Sequence, residues 1–386
     1  MHLEPHLKSP AQNKVAILRY RTDGLLHSPV EFDIRLLPPI MACWKAMGAC
    51  DPKETKRPQH ARMCLDGPET DVVDLRLCFL PAGLGESLSV ATLHYGPHET
   101  PRTLEDIDYA PADRDRLLRC LQAPWGLLVF SGPAGSGMTS SMYACLKHLA
   151  RPDRRIASIE NPIAYYLPWV SQLQVGEAEG LTYAKLLYSV MYSCPNYVMV
   201  GEMLDLETLE RAQSAALSGH GVISRLHCDD AVHTLVRMIQ MGADPFVLGE
   251  STRLIVAQRL VMRLCENCSQ EERLSAYHLV QAERIARAGG LDWRMLPRGF
   301  RKSVGCPKCK RSGCPGYLGR TVIAETLQIT PEIGQALARS DSDERLRSVA
   351  IQQGMTSMAA DGVRKAAEGK TTLNELLRVL GHQLGQ

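Results

Sequence analysis

No apolar run in this 386-residue chain approaches the roughly 20 residues needed to span a bilayer; WGLLVF and YVMVG are far shorter. The start, MHLEPHLKSPAQNK, has no apolar core of the signal-peptide kind, so a protein that stays in the cytoplasm is expected. A broad field of one charge is also missing. The 44 Lys+Arg against 42 Asp+Glu leave +2, which argues against a chain held mainly by nucleic-acid phosphates, and no nucleic-acid partner is expected. Internal repeats and low-complexity tracts are absent. Cysteine is plentiful at 13, but the number is odd and most are scattered, which speaks against a disulfide framework and for reduced thiols or a metal site. What remains is an ordinary globular composition, 45% hydrophobic and 22% charged, on a chain long enough for two or three domains.

The most informative absence is one lysine. LLVFSGPAGSGMTSSMYACLKHL, Leu127 to Leu149, runs an apolar strand into a glycine-rich turn that opens a helix. Gly132, Gly137 and Thr139 keep the spacing G-x-x-x-x-G-K-[ST], but Met138 occupies the lysine position. Backbone N–H groups of Gly132, Pro133, Ala134, Gly135, Ser136, Gly137, Met138, Thr139 and Ser140 (proline excepted), with the positive end of the helix, attract oxyanions whatever the side chains are. Thr139 keeps the hydroxyl expected to ligate Mg²⁺. A thioether carries no charge and no donor, so hydrolysis of a bound triphosphate should suffer more than its binding. Lys147, nine residues on from Met138, lies about 180° around the helix and cannot substitute.

The first hundred residues alternate strand-like pieces (KVAILRYR, VVDLRLCFL, LSVATLHYG) with Pro/Gly breaks and a helical stretch near Ile40 to Met47, a small α+β domain. YGPHETPRTLED, Tyr95 to Asp106, reads as a linker. Beyond it strands at Gly126 to Phe130, Ile156 to Glu160, Tyr197 to Glu202 and Gly221 to Leu226 alternate with helical patterns, implying a parallel, helix-covered sheet. From about Pro331 the pattern is helical, with Thr371 or Thr372 capping the last helix. Glu160 and Glu202 fall at strand ends, and His220 and His227 flank a third strand. Ligands of open α/β sheets bind at the carboxyl ends of strands, so these four are expected to converge near the loop. Each alone would be a solvated carboxylate or a packing histidine.

Cys265-x-x-Cys268 and Cys306-x-x-Cys309 are close pairs, and four thiolates complete a tetrahedral structural zinc site. The 37 residues between them suit an inserted helical excursion, and Cys314 is a spare. Tyr165, Tyr166 and Trp169 read as core or subunit contact. RPDRR, Arg151 to Arg155, reads as a solvated face and as an alternative cation for phosphates.

KRPQHAR, VVDLRLCFLPAGLGES, the loop, SIENPI, VGEMLDLETLERA, GHGVISRLHCDDA, LIVAQRLVMRLCENC, GYLGRTVIAE and QQGMTSMAADGVRKAAEGKTTLNELLRV occur in that order. Together they resemble the ATPases of type II secretion and type IV pilus assembly. The resemblance implies a PAS-like domain over 1–98, a RecA-like P-loop motor domain over 99–264, a tetracysteine zinc subdomain over 265–315 and a C-terminal helical part of the motor over 316–386. It implies ATP, Mg²⁺ and Zn²⁺ as cofactors. It also implies a hexameric ring at the cytoplasmic face of the inner membrane, working with a membrane platform and adapter proteins to drive pilin or pseudopilin polymerisation. In that frame Glu160 is the water-activating glutamate, Glu202 the Walker B glutamate, His220 and His227 the histidine box, and Arg76 a phosphate-reaching arginine. Plasmid-transfer relatives lack the cysteine pairs, which argues against that branch.

Departures from the family pattern share one direction. Ser87 and Ala91 stand at arginine positions, Tyr192-Ser193-Cys194-Pro195-Asn196 replaces RQDPD, Gly201-Glu202-Met203-Leu204-Asp205 replaces GEIRD, and Ala164 replaces an acidic residue. Ser, Ala and Leu offer nothing equivalent to a bidentate guanidinium. Scaffold is kept while counter-charge is lost. Two readings follow: an ATPase with weakened binding and turnover, or a dead pseudo-ATPase serving as scaffold beside an active paralogue.

Overall fold

The computed structural model describes all residues except 9–13, 23, 28, 67–71, 94–99, 124, 177–179, 312–313 and 385–386, so part of the expected 95–106 linker lies outside the described residues. The chain divides into two compact units, 1–100 with 311–314, and 101–310 with 315–386.

The first unit is a six-stranded antiparallel sheet. Its strands are β1 (His2–Leu7), β2 (Lys14–Arg19), β3 (Val30–Asp33), β4 (Gln59–Asp66), β5 (Val72–Ala82) and β6 (Gly85–Leu93), in the order β3-β2-β1-β6-β5-β4. Alternation dictates the packing: Leu75, Leu77 and Phe79 of β5 are buried while Arg76 and Leu80 between and beyond them face out. The helix Leu37–Met47 adds Leu37 and Met41 to this core. Its Lys45 is fully buried, and its ammonium donates to the Glu86 carboxylate and the Glu54 carbonyl at 2.6 Å each, the pairing a buried charge requires. Strands β1, β3 and β4 were not anticipated from the sequence.

The second unit is built on a seven-stranded sheet. Its strands are β7 (Gly126–Ser131), β8 (Ile156–Glu160), β9 (Val170–Gln174), β10 (Tyr197–Val200), β11 (Gly221–Leu226), β12 (Thr252–Leu264) and β13 (Tyr317–Gln328). They lie in the order β9-β8-β10-β11-β7-β12-β13. All neighbours are parallel except β12 and β13, which form a long antiparallel ribbon. The four anticipated strands are all there, the third ending at Val200 rather than Glu202; β7, β8 and β10 are buried along their whole length and are therefore mostly apolar. Two corrections concern the rest. The stretch 316–386 is not helical throughout, since it opens with the 12-residue β13. The sheet is not wholly parallel, since Arg and Gln interrupt TRLIVAQRLVMRL and hide a strand that closes on β13.

The 37-residue excursion carries the helix Ala276–Ala288, whose Ala282 and Ala286 join the core of this unit together with Trp293 and Phe300. Thr372, not Thr371, caps the last helix: its hydroxyl accepts from the Glu375 N–H at 3.1 Å, while that of Thr371 donates to the Met262 carbonyl at 2.8 Å. Among the described residues no helix is long and apolar enough to cross a membrane.

Candidate phosphate-binding site and metal centre

After β7 the chain turns through 132–137 into the helix Met138–Leu149. Gly132, Gly135 and Gly137 adopt φ of 155°, 81° and 89°, conformations that side chains disfavour. A Cβ at Gly132 would come within 2.5 Å of the Gln258 carbonyl oxygen and of Ser136 Oγ, whereas at Gly135 it would meet open space. Gln258 on β12 fixes the turn from below. Its Nε2 donates to the Ser136 carbonyl at 2.9 Å, and its Oε1 accepts from the hydroxyls of Tyr109 at 2.5 Å and Ser141 at 2.9 Å. The Ser136 hydroxyl is buried and has no partner among the described residues, while Pro133, Ala134 and Gly135 are exposed. A glycine cradle, a helix N-terminus and an unspent hydroxyl fit a phosphate.

Met138 is only 4% exposed, so the side chain at the lysine position is buried rather than held over the loop. Lys147 points elsewhere, donating to the Pro101 carbonyl at 2.7 Å. The charge in this neighbourhood comes from another strand. In β11, Arg225 and Leu226 lie opposite Phe130 and Ser131 of β7, which brings Arg225 and His227 to the level of the turn. Arg225 Nη1 donates to Thr139 Oγ1 at 2.9 Å, and its Nη2 lies 3.5 Å from Glu202 Oε2. Glu202, two residues beyond β10, also meets His227 Nε2 at 3.1 Å through its Oε1, and His227 Nδ1 lies 3.0 Å from the Gly132 carbonyl. Both ring nitrogens face acceptors, so making both contacts at once requires the doubly protonated ring. The two oxygens suited to Mg²⁺, Thr139 Oγ1 and the Glu202 carboxylate, are thus engaged by a guanidinium. As arranged, they do not fit the metal.

Glu160 ends β8 and is 4% exposed. Its carboxylate accepts from the Tyr143 hydroxyl, from Ser158 Oγ at 2.6 Å and from Gln172 Nε2 at 3.2 Å. The Tyr143 hydroxyl accepts in turn from the N–H groups of Ala164 and Tyr165, at 3.1 Å each. Burial, with the Glu160 carboxylate beside it, pushes this hydroxyl well above the ordinary tyrosine range, so it remains a donor. Tyr143→Phe leaves one buried acceptor and two N–H groups unsatisfied. It should cost about 1–3 kcal/mol of stability, read by denaturant unfolding; an unchanged midpoint would show that the network is dispensable.

The four anticipated side chains do not all converge. His220 precedes β11 at its amino end, with Nδ1 2.6 Å from the Pro195 carbonyl, and a six-residue strand about 20 Å long separates that end from the loop. Arg151 to Arg155 likewise precede β8, at the sheet edge away from the loop, so RPDRR is no substitute cation. Of the three aromatics, Tyr165 is buried against Tyr143 with ring centroids 4.9 Å apart, whereas Tyr166 and Trp169 are 71% and 61% exposed. Arg76 is exposed on β5 of the first unit. Ser140, second in line after Met138 on the helix, is half-buried. Sequence reasoning overlooked Arg225, Tyr143 and Gln258. A charge inside the apolar run GVISRL, one residue short of the strand end, was the available signal for the first.

The cysteines close a second site. Sγ–Sγ distances are 3.9 Å for Cys265–Cys306, 3.8 Å for Cys268–Cys309 and 3.7 Å for Cys306–Cys309, and all four sulfurs lie within 4.8 Å of one another. A zinc–sulfur bond of about 2.3 Å in a regular tetrahedron requires sulfur edges of about 3.8 Å. The donor set fits Zn²⁺. Burial works to raise the Cys309 thiol, yet N–H donors from Cys306 and Gly316, at 3.1 Å each, and the neighbouring thiols bring it down to about 6, while burial pushes Cys268 up to about 11. Cys314 is buried and stands outside the group.

A family model described as type II/IV secretion system protein matches residues 6–378. The chain is 34% identical over 377 residues to the type IV pilus assembly ATPase PilB of Thermus thermophilus, an alignment covering 98% of this chain and 40% of that one. It is 35% identical over 379 residues to the type II secretion system protein HxcR of Pseudomonas aeruginosa, covering 98% and 73%. With the PilB of Pseudomonas aeruginosa identity is 32%, covering 98% and 64%, so the chain spans only part of each relative. Among solved structures, the ATPase DotB of Legionella pneumophila superposes with a TM-score of 0.64 at 15% identity, covering 99% of this chain and 91% of that one. The pilus retraction motor PilT with bound ADP gives 0.60 at 18%, covering 98% and 92%. These structural likenesses speak for the fold alone. With the family match across nearly its whole length, the chain belongs to the type II/IV secretion system proteins, on a RecA-like P-loop fold.

Proposed function

We propose that this chain is a cytoplasmic ring component of a type II secretion or type IV pilus machine, peripheral at the inner membrane, that powers or regulates polymerisation of pilin-like subunits with weakened ATP binding and hydrolysis. The ring, most simply a hexamer, and the platform and adapter proteins it would engage come from the family. The weakening comes from this chain. The observation that carries it is the buried Met138, which leaves the turn without an ammonium, while the neighbouring guanidinium is already engaged by Thr139 and Glu202. Backbone N–H groups of 132–139 and the Ser136 hydroxyl would hold the phosphates, Gln258 keeps the turn in shape, and His227 ties Gly132 to Glu202. ATP supplies the phosphoanhydride to be cleaved, and Met138 offers it neither the charge nor the donors of a lysine. The four cysteines would hold a structural Zn²⁺.

The second reading, a non-hydrolysing scaffold beside an active paralogue, is favoured by one feature. The Glu160 carboxylate already accepts from three donors and has little capacity left to orient an attacking water. Phosphate release from Mg-ATP by the purified full chain tests the proposal. Turnover should fall to about a hundredth or less of that of a relative with a complete loop, the usual loss for one electrostatic stabiliser. Turnover within about tenfold of such a relative would sink the weakened-motor reading, and turnover at the detection limit would move the assignment to the scaffold.

A further inference from the structure

We propose that the Arg225 guanidinium stands in for the divalent cation of this site, so that nucleoside di- and triphosphates are bound without Mg²⁺; the inference rests on reading the 132–139 turn as a nucleotide site. Three observations carry it. Nη1 sits 2.9 Å from Thr139 Oγ1 and Nη2 3.5 Å from Glu202 Oε2, so one organic cation engages both hard-oxygen groups a magnesium ion would use. Arg225 Nε is buried without a partner among the described residues, and the neighbouring Ser136 hydroxyl is in the same condition, so donors remain unspent beside the cradle. Met138 is buried and uncharged, and the positive group that does reach Thr139 at the turn is a guanidinium anchored from a strand rather than from the loop.

The charges around it are consistent with that role. Glu202 lies between Arg225 and His227, its Oε2 3.5 Å from the guanidinium and its Oε1 3.1 Å from the imidazole Nε2, so both carboxylate oxygens already have a partner and less of the group is left to recruit a dication. A guanidinium and a hydrated Mg²⁺ compete for one space and repel each other. A planar fork with spare N–H groups recognises phosphate oxygens directly, in the bidentate manner that makes arginine a phosphate ligand. The class of ligand is a nucleotide polyphosphate, held by backbone N–H groups and one arginine.

Fluorescence titration of the full chain with methylanthraniloyl-ATP, in excess EDTA and in millimolar Mg²⁺, tests the assignment. The wild-type dissociation constant should agree within about twofold between the two conditions. Arg225→Thr, which suits a strand, should weaken binding in EDTA by about tenfold or more, the effect of losing a charge-assisted contact, and should make the remaining binding depend on Mg²⁺. Arg225→Lys should keep binding EDTA-insensitive at intermediate affinity. Thermal melts of each variant show whether it is folded, and a purely structural Arg225 would shift the melts without changing the magnesium dependence. Wild-type binding that tightens about tenfold or more with Mg²⁺, or an Arg225→Thr variant with unchanged affinity in EDTA, would overturn the inference while leaving the weakened-motor reading intact. Absence of nucleotide binding in both conditions would also overturn it and would favour the scaffold. Full ATP turnover with EDTA-insensitive binding would sink only the weakened-motor reading.

Discussion

Removing zinc, by chelator or by Cys309→Ser, is expected to loosen residues 265–272 and 301–316 and to lower the apparent melting temperature of the chain by about 10 °C or more. Four sulfurs lie within 4.8 Å of one another, two of them on buried cysteines; without a metal they offer weak S–H contacts in place of four metal–thiolate bonds. The metal would clip the end of β12 to the start of β13 across the excursion, since Cys265 follows Leu264 and its N–H donates to the Gly316 carbonyl at 3.0 Å. The damage should nevertheless stay local. The helix Ala276–Ala288 keeps its contacts with the core, and the Ser357 N–H donates to the Gly289 carbonyl at 2.9 Å independently of the sulfurs. Elemental analysis should find one zinc per chain, and limited proteolysis after chelation should cut near 303–316 first. A chain that contains no zinc as purified and melts identically with chelator would remove the metal from this account.

Restoring the missing ammonium while clearing the competing cation should have the largest effect on activity. The double variant Met138→Lys with Arg225→Thr is expected to raise ATP turnover by about 100-fold or more over the wild type. A lysine at 138 alone must leave a buried position and enter a site where a guanidinium already engages Thr139 and Glu202, so like charges oppose it. Arg225→Thr alone frees the hard-oxygen pair for Mg²⁺ but leaves the β- and γ-phosphates without the lysine ammonium. Only together do the changes supply both, so the two effects should be strongly non-additive, read as initial rates of phosphate release in all four combinations. A double variant no faster than the wild type would place the block elsewhere, with Glu160, whose carboxylate is enclosed by Tyr143, Ser158 and Gln172, the first residue to examine.

How far the residues announced this architecture depends on the kind of pattern involved. The turn at 132–139 and strands β7, β8, β10 and β11 were legible because a glycine run and a buried apolar strand are local signals. The cysteine pairs were legible because two-residue spacing brings both thiols to one metal whatever the fold. The ribbon of β12 and β13 was not, since its partners are separated by the whole excursion and its interior carries Arg259 and Gln258, which a pattern of buried strands does not anticipate. His220 was misjudged although the signal was at hand. Two histidines flanking one short strand must sit at opposite edges of a sheet, and only His227 is on the edge with the turn.

The sequence by itself determined that a glycine turn with phosphate-loop spacing opens a helix, that the lysine of that spacing is gone, and that four cysteines fall in two close pairs, because each of these follows from spacing along a few turns of backbone. Tertiary structure alone decided where the positive charge went. Arg225 meets Thr139 across 86 residues of chain, and Glu160 is enclosed by donors from a helix and a neighbouring strand. Such encounters depend on which strands lie side by side and in what register, and register is settled by the packing of a whole sheet rather than by any segment of it.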